Sequence, residues 1–422
     1  HFEKMLYDNA QLAALYLEAW QHTGDPSYER VVREVLEYVA REMTSDAGAF
    51  HSATDADSQT PSGHDEEGWY FTWPAKELRA VLGANGARVV GVAYGVTAEG
   101  NFEGRNILQR VKTNGEVATK LHMPRKRVDK VLDEARSALY RARTLRPPPL
   151  RDDKIIAAWN GLMISAFARA GWAFEQADYV SRAAAAAEFV LRQMRDGAKG
   201  LVRTYRDGSK ASVAFLDDYA FMVAACLDLY ETTGGADWLV AALELQGQQD
   251  ARFLDPEGGY YLTPSDGEAL LVREKPAYDG AVPSGNSVAA ENLLRLHDIT
   301  GEERWRSVAE QLFAVFAFQV ARAPTAFPRL LVALDHYYDA PLEVAIIAPD
   351  RTEEGSLLSQ PLRKTFVPNK TFLVVTEPSA ERLTSKVPWL EGKRVIDDMA
   401  TAYVCERGSC DLPTSDPSVF AE

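Results

Sequence analysis

A helix that is apolar on nearly every side constrains the fold of this chain more than any other feature. It lies within the stretch 151–167, which reads RDDKIIAAWNGLMISAF. Asp152, Asp153 and Lys154 open the stretch, and almost all the residues that follow are apolar, apart from Asn160. Because a helix that is hydrophobic all round must be enclosed by other elements, we expect this one to be buried.

The same design recurs along the chain and predicts a ring of helix pairs. Each apolar helix is polar near its start, and a short turn and a more amphipathic helix follow it. The other apolar helices are expected within Phe2–Leu17, Phe215–Tyr230 and Pro283–Leu296. Over the later pairs the spacing is roughly 60 residues, which favours a helical toroid over a short-repeat solenoid. A single pair cannot bury its apolar face alone, so the pairs must pack against one another.

Composition limits the classes of function. The chain has 422 residues, of which 46% are hydrophobic, enough for a large core and more than one domain. A net charge of −15 argues against nucleic acid or an anionic membrane as the main partner. We find no run of residues suited to span a bilayer. The three cysteines predict no disulfide framework and fit a reducing, cytoplasmic compartment. The first residue is His1 rather than Met, so we expect a fragment that lacks an upstream part.

Two regions depart from the helical pattern. Residues 48–150 are predicted to form an insertion with two strands that flank an acidic loop, two short helices and a basic helix. The predicted elements are Ala49–Thr54, Gly68–Trp73, Ala75–Leu82, Ala84–Tyr94 and Arg125–Arg143. Residues 341–422 are predicted to form an α/β subdomain with a parallel strand pair. The toroid itself is expected to span residues 1–340.

Short motifs in several parts of the chain resemble one known family. They are His1–Asn9 (HFEKMLYDN), Ser52–Asp57 (SATDAD), Asn101–Leu108 (NFEGRNIL), Arg151–Ile155, Trp159–Met163, Phe215–Ala220 (FLDDYA), Pro283–Ser287 and Ala402–Cys405. In this order they resemble the spermatogenesis-associated protein 20 family. The resemblance implies a thioredoxin-like domain followed by an (α/α)₆ toroid, similar to six-hairpin glycosidases and N-acylglucosamine 2-epimerases. It further implies that the thioredoxin-like domain and the first helix pair are absent here, so that the toroid is incomplete.

Polar residues at the starts of the inner helices are the candidate ligand-binding groups. In a toroid these ends could converge on one mouth, where amides and carboxylates would bind sugar hydroxyls and aromatic rings would stack on sugar faces. The candidates for substrate binding are Asp8, Asn9, Trp69, Trp159, Asn160, Tyr219, Ser284 and Asn286. The alternative is structural, since Asp, Asn and Ser are favoured as helix N-caps and buried polar groups must find partners.

Catalysis would need titratable groups on opposite sides of a bound sugar. Asp217 with Asp218, and Asp55 with Asp57, are the paired carboxylates of the chain. Neighbours on a helix point about 100° apart, so glycoside hydrolysis would use one residue from each pair. Epimerisation would use bases near neutral pKa, for which His51 is the candidate.

Metal and redox sites are less well supported by the sequence. In the loop from Asp55 to Glu66, acidic residues fall at several calcium-ligand positions, but Thr60 stands where that template requires Gly. Cys405 and Cys410 could bind a metal or form a redox pair, and the simpler interpretation is two cysteines of a β-hairpin. We therefore predict no metal and no cofactor.

Two functional hypotheses remain. The first is a carbohydrate-active or carbohydrate-binding toroid protein, either a sugar isomerase or epimerase or a glycoside hydrolase. The second is a non-catalytic scaffold or binding module that acts with an upstream thioredoxin-like domain. The residues leave open whether the chain is an enzyme. An enzyme would present two titratable groups to one ligand, whereas a scaffold would use its polar residues for caps and mutual contacts.

Overall fold

The chain is described by a computed structural model that covers residues 2–197, 200–349, 353–406 and 408–420. The helices are α1 (Leu6–Thr23), α2 (Pro26–Glu42), α3 (Ala75–Tyr94), α4 (Asn114–Leu121), α5 (Arg125–Arg143), α6 (Ala157–Ala173), α7 (Ala177–Gln193), α8 (Leu216–Thr233), α9 (Ala236–Phe253), α10 (Gly285–Thr300), α11 (Glu303–Arg322), α12 (Pro328–Tyr338), α13 (Glu353–Lys364), α14 (Glu377–Leu383) and α15 (Pro417–Phe420). Every helix in this part of the chain is too short or too polar to cross a lipid bilayer.

The strands are short and fall into small separate sheets. They are β1 (Lys4–Met5), β2 (Ala53–Thr54), β3 (Asp57–Gln59), β4 (Asp65–Glu67), β5 (Arg151–Asp152), β6 (Ile155–Ile156), β7 (Val202–Arg206), β8 (Ser209–Val213), β9 (Leu342–Ala348), β10 (Lys370–Thr376), β11 (Thr401–Glu406) and β12 (Ser409–Cys410). The largest sheet among the described residues has the order β10-β9-β11-β12.

The chain divides into two compact units. One comprises His1–Lys4 and Ala53–Asp152, and the other comprises Met5–Ser52 and Asp153–Glu422. Apart from its first four residues, the smaller unit thus runs from Ala53 to Asp152. The α/β part from residue 341 groups with the helices instead of forming a unit of its own.

The larger unit is an arc of helical hairpins. The pairs α1/α2, α6/α7, α8/α9 and α10/α11 pack side by side, and the inner helices contact one another in the order α1, α6, α8, α10 and α12. The inner helix α6 is buried along almost its whole length, as its sequence predicts. This arrangement confirms the predicted fold class, an incomplete (α/α)₆ toroid.

The two most buried inner helices, α6 and α8, come into close contact at a glycine. A Cβ atom built on Gly161 would lie 2.7 Å from the carbonyl carbon and oxygen of Phe221. Real side chains do not tolerate this distance to backbone atoms, so only glycine allows the two helices to approach this closely. The packing of α6 against α8 therefore depends on the missing side chain at this position.

A short return segment follows three of the outer helices and confirms the repeat seen in the sequence. Each segment turns back on itself through one isolated bridge, namely Thr44 to Phe50, Arg195 to Leu201 and Leu254 to Tyr260. A polar side chain of an inner helix then bonds the backbone of the segment. Asn160 accepts from the Phe50 N–H at 2.8 Å and donates to the Phe50 carbonyl at 3.0 Å. Asn286 does the same with Tyr260, at 2.8 and 2.9 Å.

The α/β part has the predicted parallel pair. Strands β9 and β10 run parallel from Leu342 opposite Lys370 to Ala348 opposite Thr376, and β11 is antiparallel to β9. The two C-terminal cysteines lie on the β11–β12 hairpin, as expected from the simpler interpretation. They also form a disulfide, Cys405–Cys410, which the low cysteine count did not predict.

The smaller unit, taken by itself, packs α3, α4 and α5 around an apolar cluster. The basic helix has its predicted bounds, and α3 is interrupted at Gly83, where φ is +68°, between the two helices expected there. The strand predictions were partly wrong. The acidic loop itself contains the hairpin β3–β4, and Gly68–Trp73 forms a turn. The guanidinium of Arg146 stabilises this turn, since it donates to the carbonyls of Trp69, Tyr70 and Thr72.

The close approach of α6 and α8 predicts a large effect of one methyl group. We expect Gly161→Ala to lower the free energy of unfolding by about 2–3 kcal/mol, because the new Cβ overpacks the helix contact. Gly247→Ala on α9 is the matched control, since a Cβ there meets nothing within 4 Å. This control should be neutral or gain up to about 1 kcal/mol from helix propensity. Urea denaturation compares the two, and equal midpoints would contradict the prediction.

The asparagine contact to the return segment predicts a second stability effect. Asn160→Ala leaves the buried N–H and carbonyl of Phe50 without their side-chain partner, so we expect a loss of about 2–5 kcal/mol. Asn9→Ala serves as control, because the Asn9 amide donates to Met5 O within its own helix start, at 2.7 Å, and to no other group of the described residues. We expect that control to change stability by about 0.5 kcal/mol or less. A loss no larger at Asn160 than at Asn9 would refute a structural role for the buried amide.

Candidate functional site

The N-terminal ends of the inner helices lie next to one another and form what we call the rim, at Tyr7, Trp159, Asp217, Ser284 and Arg329. The ring centroids of Tyr7 on α1 and Trp159 on α6 are 4.9 Å apart. Asp217 on α8 accepts a hydrogen bond from the N–H of Gly285, the first residue of α10. Asp279 bonds the N–H groups of both Ser284 and Arg329, at 2.9 and 2.8 Å. Several neighbouring helix starts are therefore in direct contact.

Asp218, a predicted catalytic residue, is fully buried and bonded on several sides. It accepts from the Phe215 N–H of its own helix start at 2.8 Å and from the Ala158 N–H of α6 at 3.0 Å. The guanidinium of Arg203 donates to Asp218 Oδ2 at 3.1 Å, the oxygen that also accepts from the Phe215 N–H. The side chain thus caps two inner helices at once, as the structural alternative expected.

Burial nevertheless disfavours the charged form of Asp218. Loss of water raises the pKa of Asp218 to about 6, although Arg203 and the two N–H groups oppose this shift. A carboxyl group in such a position can change its protonation near neutral pH. Its protonation state is therefore linked to the folding of the arc.

Asp217 is the more accessible member of the pair. Its side chain is half-buried, and burial raises its pKa, while Arg203 and the Gly285 N–H act in the opposite direction. The backbone of Gly285 lies against its carboxylate, since a Cβ at Gly285 would meet the Asp217 Oδ1 atom at 2.5 Å. Of the two neighbouring carboxylates, Asp217 is the less buried.

Several predicted binding residues are used inside the fold. Asn160 and Asn286 are fully buried and bond the return segments. Ser284 caps α10 by accepting from the Ser287 N–H at 3.1 Å. Tyr219 is fully buried, and its hydroxyl accepts from the Leu201 N–H at 2.9 Å and from Arg252 at 2.8 Å. These residues stabilise the rim rather than face solvent.

The first inner helix and α6 supply the accessible part of the rim. Asp8 is exposed, and partial burial still raises its pKa. Asn9 is half-buried. The rings of Tyr7 and Trp159 meet edge to face and are each partly exposed.

The remaining candidates are His51 and three residues of the smaller unit. His51 is buried. Its Nδ1 atom lies 3.2 Å from the backbone oxygen of Asp153 and 3.8 Å from the side-chain carboxylate of the same residue. Asp55, Asp57 and Trp69 belong to the smaller unit, where both carboxylates are exposed and Trp69 stacks beneath the Arg105 guanidinium at 3.8 Å. Among the described residues, no three His, Cys, Asp or Glu side chains come together as metal ligands.

The sequence interpretation missed a partly buried ion network in the C-terminal halves of the inner helices. Arg169 on α6 bonds Glu18 on α1 at 2.7 Å. Arg295 on α10 bonds Asp228 and Glu231 on α8 at 2.8 and 2.9 Å. The signal was available, because these charges interrupt helices that are otherwise apolar. Asp228 and Glu231 are buried, so removal of Arg295 would leave their charges without a cationic partner.

The raised pKa of Asp218 predicts a specific dependence of stability on pH. A carboxyl whose pKa is higher in the folded state favours folding when protonated, and this contribution is lost as pH rises through the folded pKa. We expect the free energy of unfolding of wild type, relative to Asp218→Asn, to fall by up to about 3 kcal/mol from about pH 4 to about pH 7. Chemical denaturation over this range measures it. The exposed Asp237→Asn on α9 is the control, and a flat or rising difference for Asp218→Asn would contradict the prediction.

Solved structures of similar helical architecture come from sugar-processing proteins. They include a sugar epimerase from a ruminal bacterium, 8% identical with a TM-score of 0.41, which covers 75% of this chain and 76% of that one. Cellobiose 2-epimerase from Spirochaeta thermophila is 10% identical with a TM-score of 0.41, over 75% and 74% of the two chains. A D-mannose isomerase is 13% identical with a TM-score of 0.36, over 74% and 76%. The fold assignment itself follows from the helix contacts of this chain.

Sequence relatives match far more closely. The chain matches no protein-family model. It is 37% identical to human spermatogenesis-associated protein 20 over 448 aligned residues, 99% of this chain and 57% of the human protein. It is 32% identical to an uncharacterised protein of Caenorhabditis elegans, over 96% of this chain and 60% of that protein. The chain thus spans a little over half the length of these relatives, and it belongs to the spermatogenesis-associated protein 20 family.

Proposed function

We propose that this chain binds a carbohydrate at the rim. The observation that carries the proposal is the partly exposed pair of Tyr7 and Trp159, whose rings are 4.9 Å apart; the exposed Asp8 follows Tyr7 on the same helix. Sugars present an apolar face of C–H groups, which packs on aromatic rings, and hydroxyl groups, which donate to carboxylates. Asp217 adds a second accessible acceptor at the start of α8.

Isomerisation or hydrolysis of the sugar is the catalytic form of the same proposal. It requires two titratable groups at one ligand. Asp218 is occupied by two helix N-termini and Arg203, so Asp217 is the best remaining candidate at the rim. Its raised pKa, caused by burial, suits a group that exchanges protons with a substrate. His51, in the same unit, remains a proposed partner of Asp217, and Asp55 with Asp57 remains a separate proposed pair in the smaller unit.

A second function of a different class is a non-catalytic scaffold that works with an upstream thioredoxin-like domain. The observation in its favour is that Asp218, Asn160 and Asn286 are used as caps and backbone contacts. The relatives also extend well beyond the part that this chain matches. A scaffold of this kind requires a stable rim and no bound sugar.

A thermal-shift screen with mono- and disaccharides tests the proposal. A ligand that binds only the folded state raises the melting temperature, on the order of a few degrees at saturating sugar. We expect one sugar class to produce this shift in wild type, and the shift to be lost in Trp159→Leu and reduced in Asp217→Asn. Trp238→Leu on the outer helix α9 is the matched control and should retain it.

Each outcome separates the two functions. No shift with any sugar, in a protein that melts cooperatively, would reject carbohydrate binding and favour the scaffold. A shift that survives Trp159→Leu would place the sugar away from the rim. Incubation of wild type with the sugar that binds, followed by NMR of its anomeric carbon, then distinguishes conversion from simple binding. Asp218→Asn is not suited to this test, because it removes a helix cap.

A further inference from the structure

A disulfide lies at the open edge of the C-terminal sheet, and the site at the rim does not use it. Cys405 on β11 and Cys410 on β12 stand directly opposite each other and are bonded. Strand β12 is the last strand in the order β10-β9-β11-β12, so its outer side is open among the described residues. The third cysteine, Cys226, is a buried free thiol on α8. The disulfide is therefore the cysteine chemistry of this chain that a partner in solution can reach.

The two cysteines differ in their access to solvent. Cys405 is only 1% exposed, whereas Cys410 belongs to the exposed residues of the hairpin. A disulfide is opened by a thiolate that attacks one sulfur while the other sulfur leaves, and the attacked sulfur must be accessible. We therefore expect an incoming thiolate to attack Cys410 Sγ and Cys405 Sγ to be the leaving group.

The backbone of Cys410 faces the same open side. The Asp411 N–H donates to the Val404 carbonyl at 2.9 Å, so these two residues form a hydrogen-bonded pair of the hairpin. Hydrogen-bonded and non-hydrogen-bonded pairs alternate along an antiparallel ladder, so the next pair, Cys405 with Cys410, is of the second kind. The N–H and carbonyl of Cys410 thus point away from β11. An extended segment of a partner can pair with this edge directly beside the exposed cysteine.

The returning strand of the hairpin also has contacts that do not depend on the disulfide. Further along it, the Ala402 N–H donates to the Thr414 carbonyl at 2.8 Å, and the Thr414 N–H donates to the Ala402 carbonyl at 3.0 Å. The disulfide joins residues with a sequence separation of 5, and a short loop restrains the unfolded chain less than a long one. We therefore expect the strand to keep its position when the disulfide is reduced.

Space for the released sulfur is present next to the pair. A cavity of about 200 Å³ borders the hairpin and the start of β9. Its lining residues are Leu342, Val404, Cys405, Glu406, Ser409 and Asp411. The side chain of Cys405 can thus turn away from Cys410 once the bond between them is broken.

We propose that the Cys405–Cys410 disulfide accepts two electrons from a dithiol protein that docks along the open edge of β12. One thiolate of the partner attacks Cys410 Sγ and forms a mixed disulfide with it. The Cys405–Cys410 bond breaks, and its electron pair stays on Cys405 Sγ, which takes up a proton. The second thiolate of the partner then attacks the partner's own sulfur in the mixed disulfide and releases Cys410, which also takes up a proton. The partner leaves as a disulfide and the chain holds two thiols, a reaction independent of the carbohydrate site proposed at the rim.

Reduction of the full chain by thioredoxin, with thioredoxin reductase and NADPH, tests the proposal. We expect one NADPH to be oxidised per chain without denaturant, because the described residues hold one disulfide. Cys410→Ser should abolish this oxidation, and Cys226→Ser should retain it. Leu412 lies two residues beyond Cys410 and is 92% exposed, so a docked partner would cover it. Leu412→Ser should therefore lower the rate with thioredoxin roughly fivefold and leave the rate with dithiothreitol unchanged. Leu145→Ser, 87% exposed in the smaller unit, is the matched control.

A thioredoxin whose second cysteine is replaced by serine tests the site of attack, since the exchange then stops at the mixed disulfide. After alkylation of the free thiols, peptide mapping should find thioredoxin bonded to Cys410. A bond to Cys405, reduction only in denaturant, or an unchanged rate in Leu412→Ser would overturn the proposal. A reduced chain that no longer melts cooperatively would also overturn it, because the disulfide would then be needed for the fold.

Discussion

The carboxylate of Asp218, enclosed between the starts of two inner helices, is the interaction on which the arc depends most. A buried carboxylate must be surrounded by donors, and here the donors come from three separate segments, at Phe215, Ala158 and Arg203. These segments can satisfy the charge only in one mutual arrangement. The same relative position of α6 and α8 also brings Gly161 against the backbone of Phe221.

The neighbouring helix starts are joined in the same way. Asp217 reaches the first N–H of α10, and Asp279 connects the start of α10 with that of α12. Helix N-termini carry unpaired N–H groups and partial positive charge, so carboxylates from adjacent elements stabilise them. Consequently, several acidic side chains of the rim bond helix N-termini and thereby stabilise the fold. The less buried part of the rim lies at Asp8, Trp159 and Asp217.

The sequence predicted the fold well because apolar periodicity survives any tertiary context. The helix pairs, the parallel strands of the α/β part and the bounds of the basic helix all follow from it. The β3–β4 hairpin could not be found this way, since Asp57 and Glu67 face each other on strands with almost no apolar side. The turn after it contains several aromatic residues and resembles a strand, but its carbonyls are taken by Arg146, more than 70 residues away. Likewise, an Asp at a helix start can act either as a helix cap or as a catalytic acid. For Asp218, the hydrogen bond from the Ala158 N–H identifies the capping role, and the sequence does not show this contact.

The position of the smaller unit in the chain has a consequence for how such a protein tolerates change. Its entering and leaving segments are paired as antiparallel strands, with Ala53 opposite Asp152 and Thr54 opposite Arg151. A segment of about a hundred residues therefore begins and ends at nearly the same point. The entropy of closing a loop grows only with the logarithm of its length, so once the two ends are paired, the size of what lies between them has little thermodynamic effect on the helices. This point of the chain is thus a permissive position, at which segments of very different length could be exchanged while the helical arc keeps its own contacts.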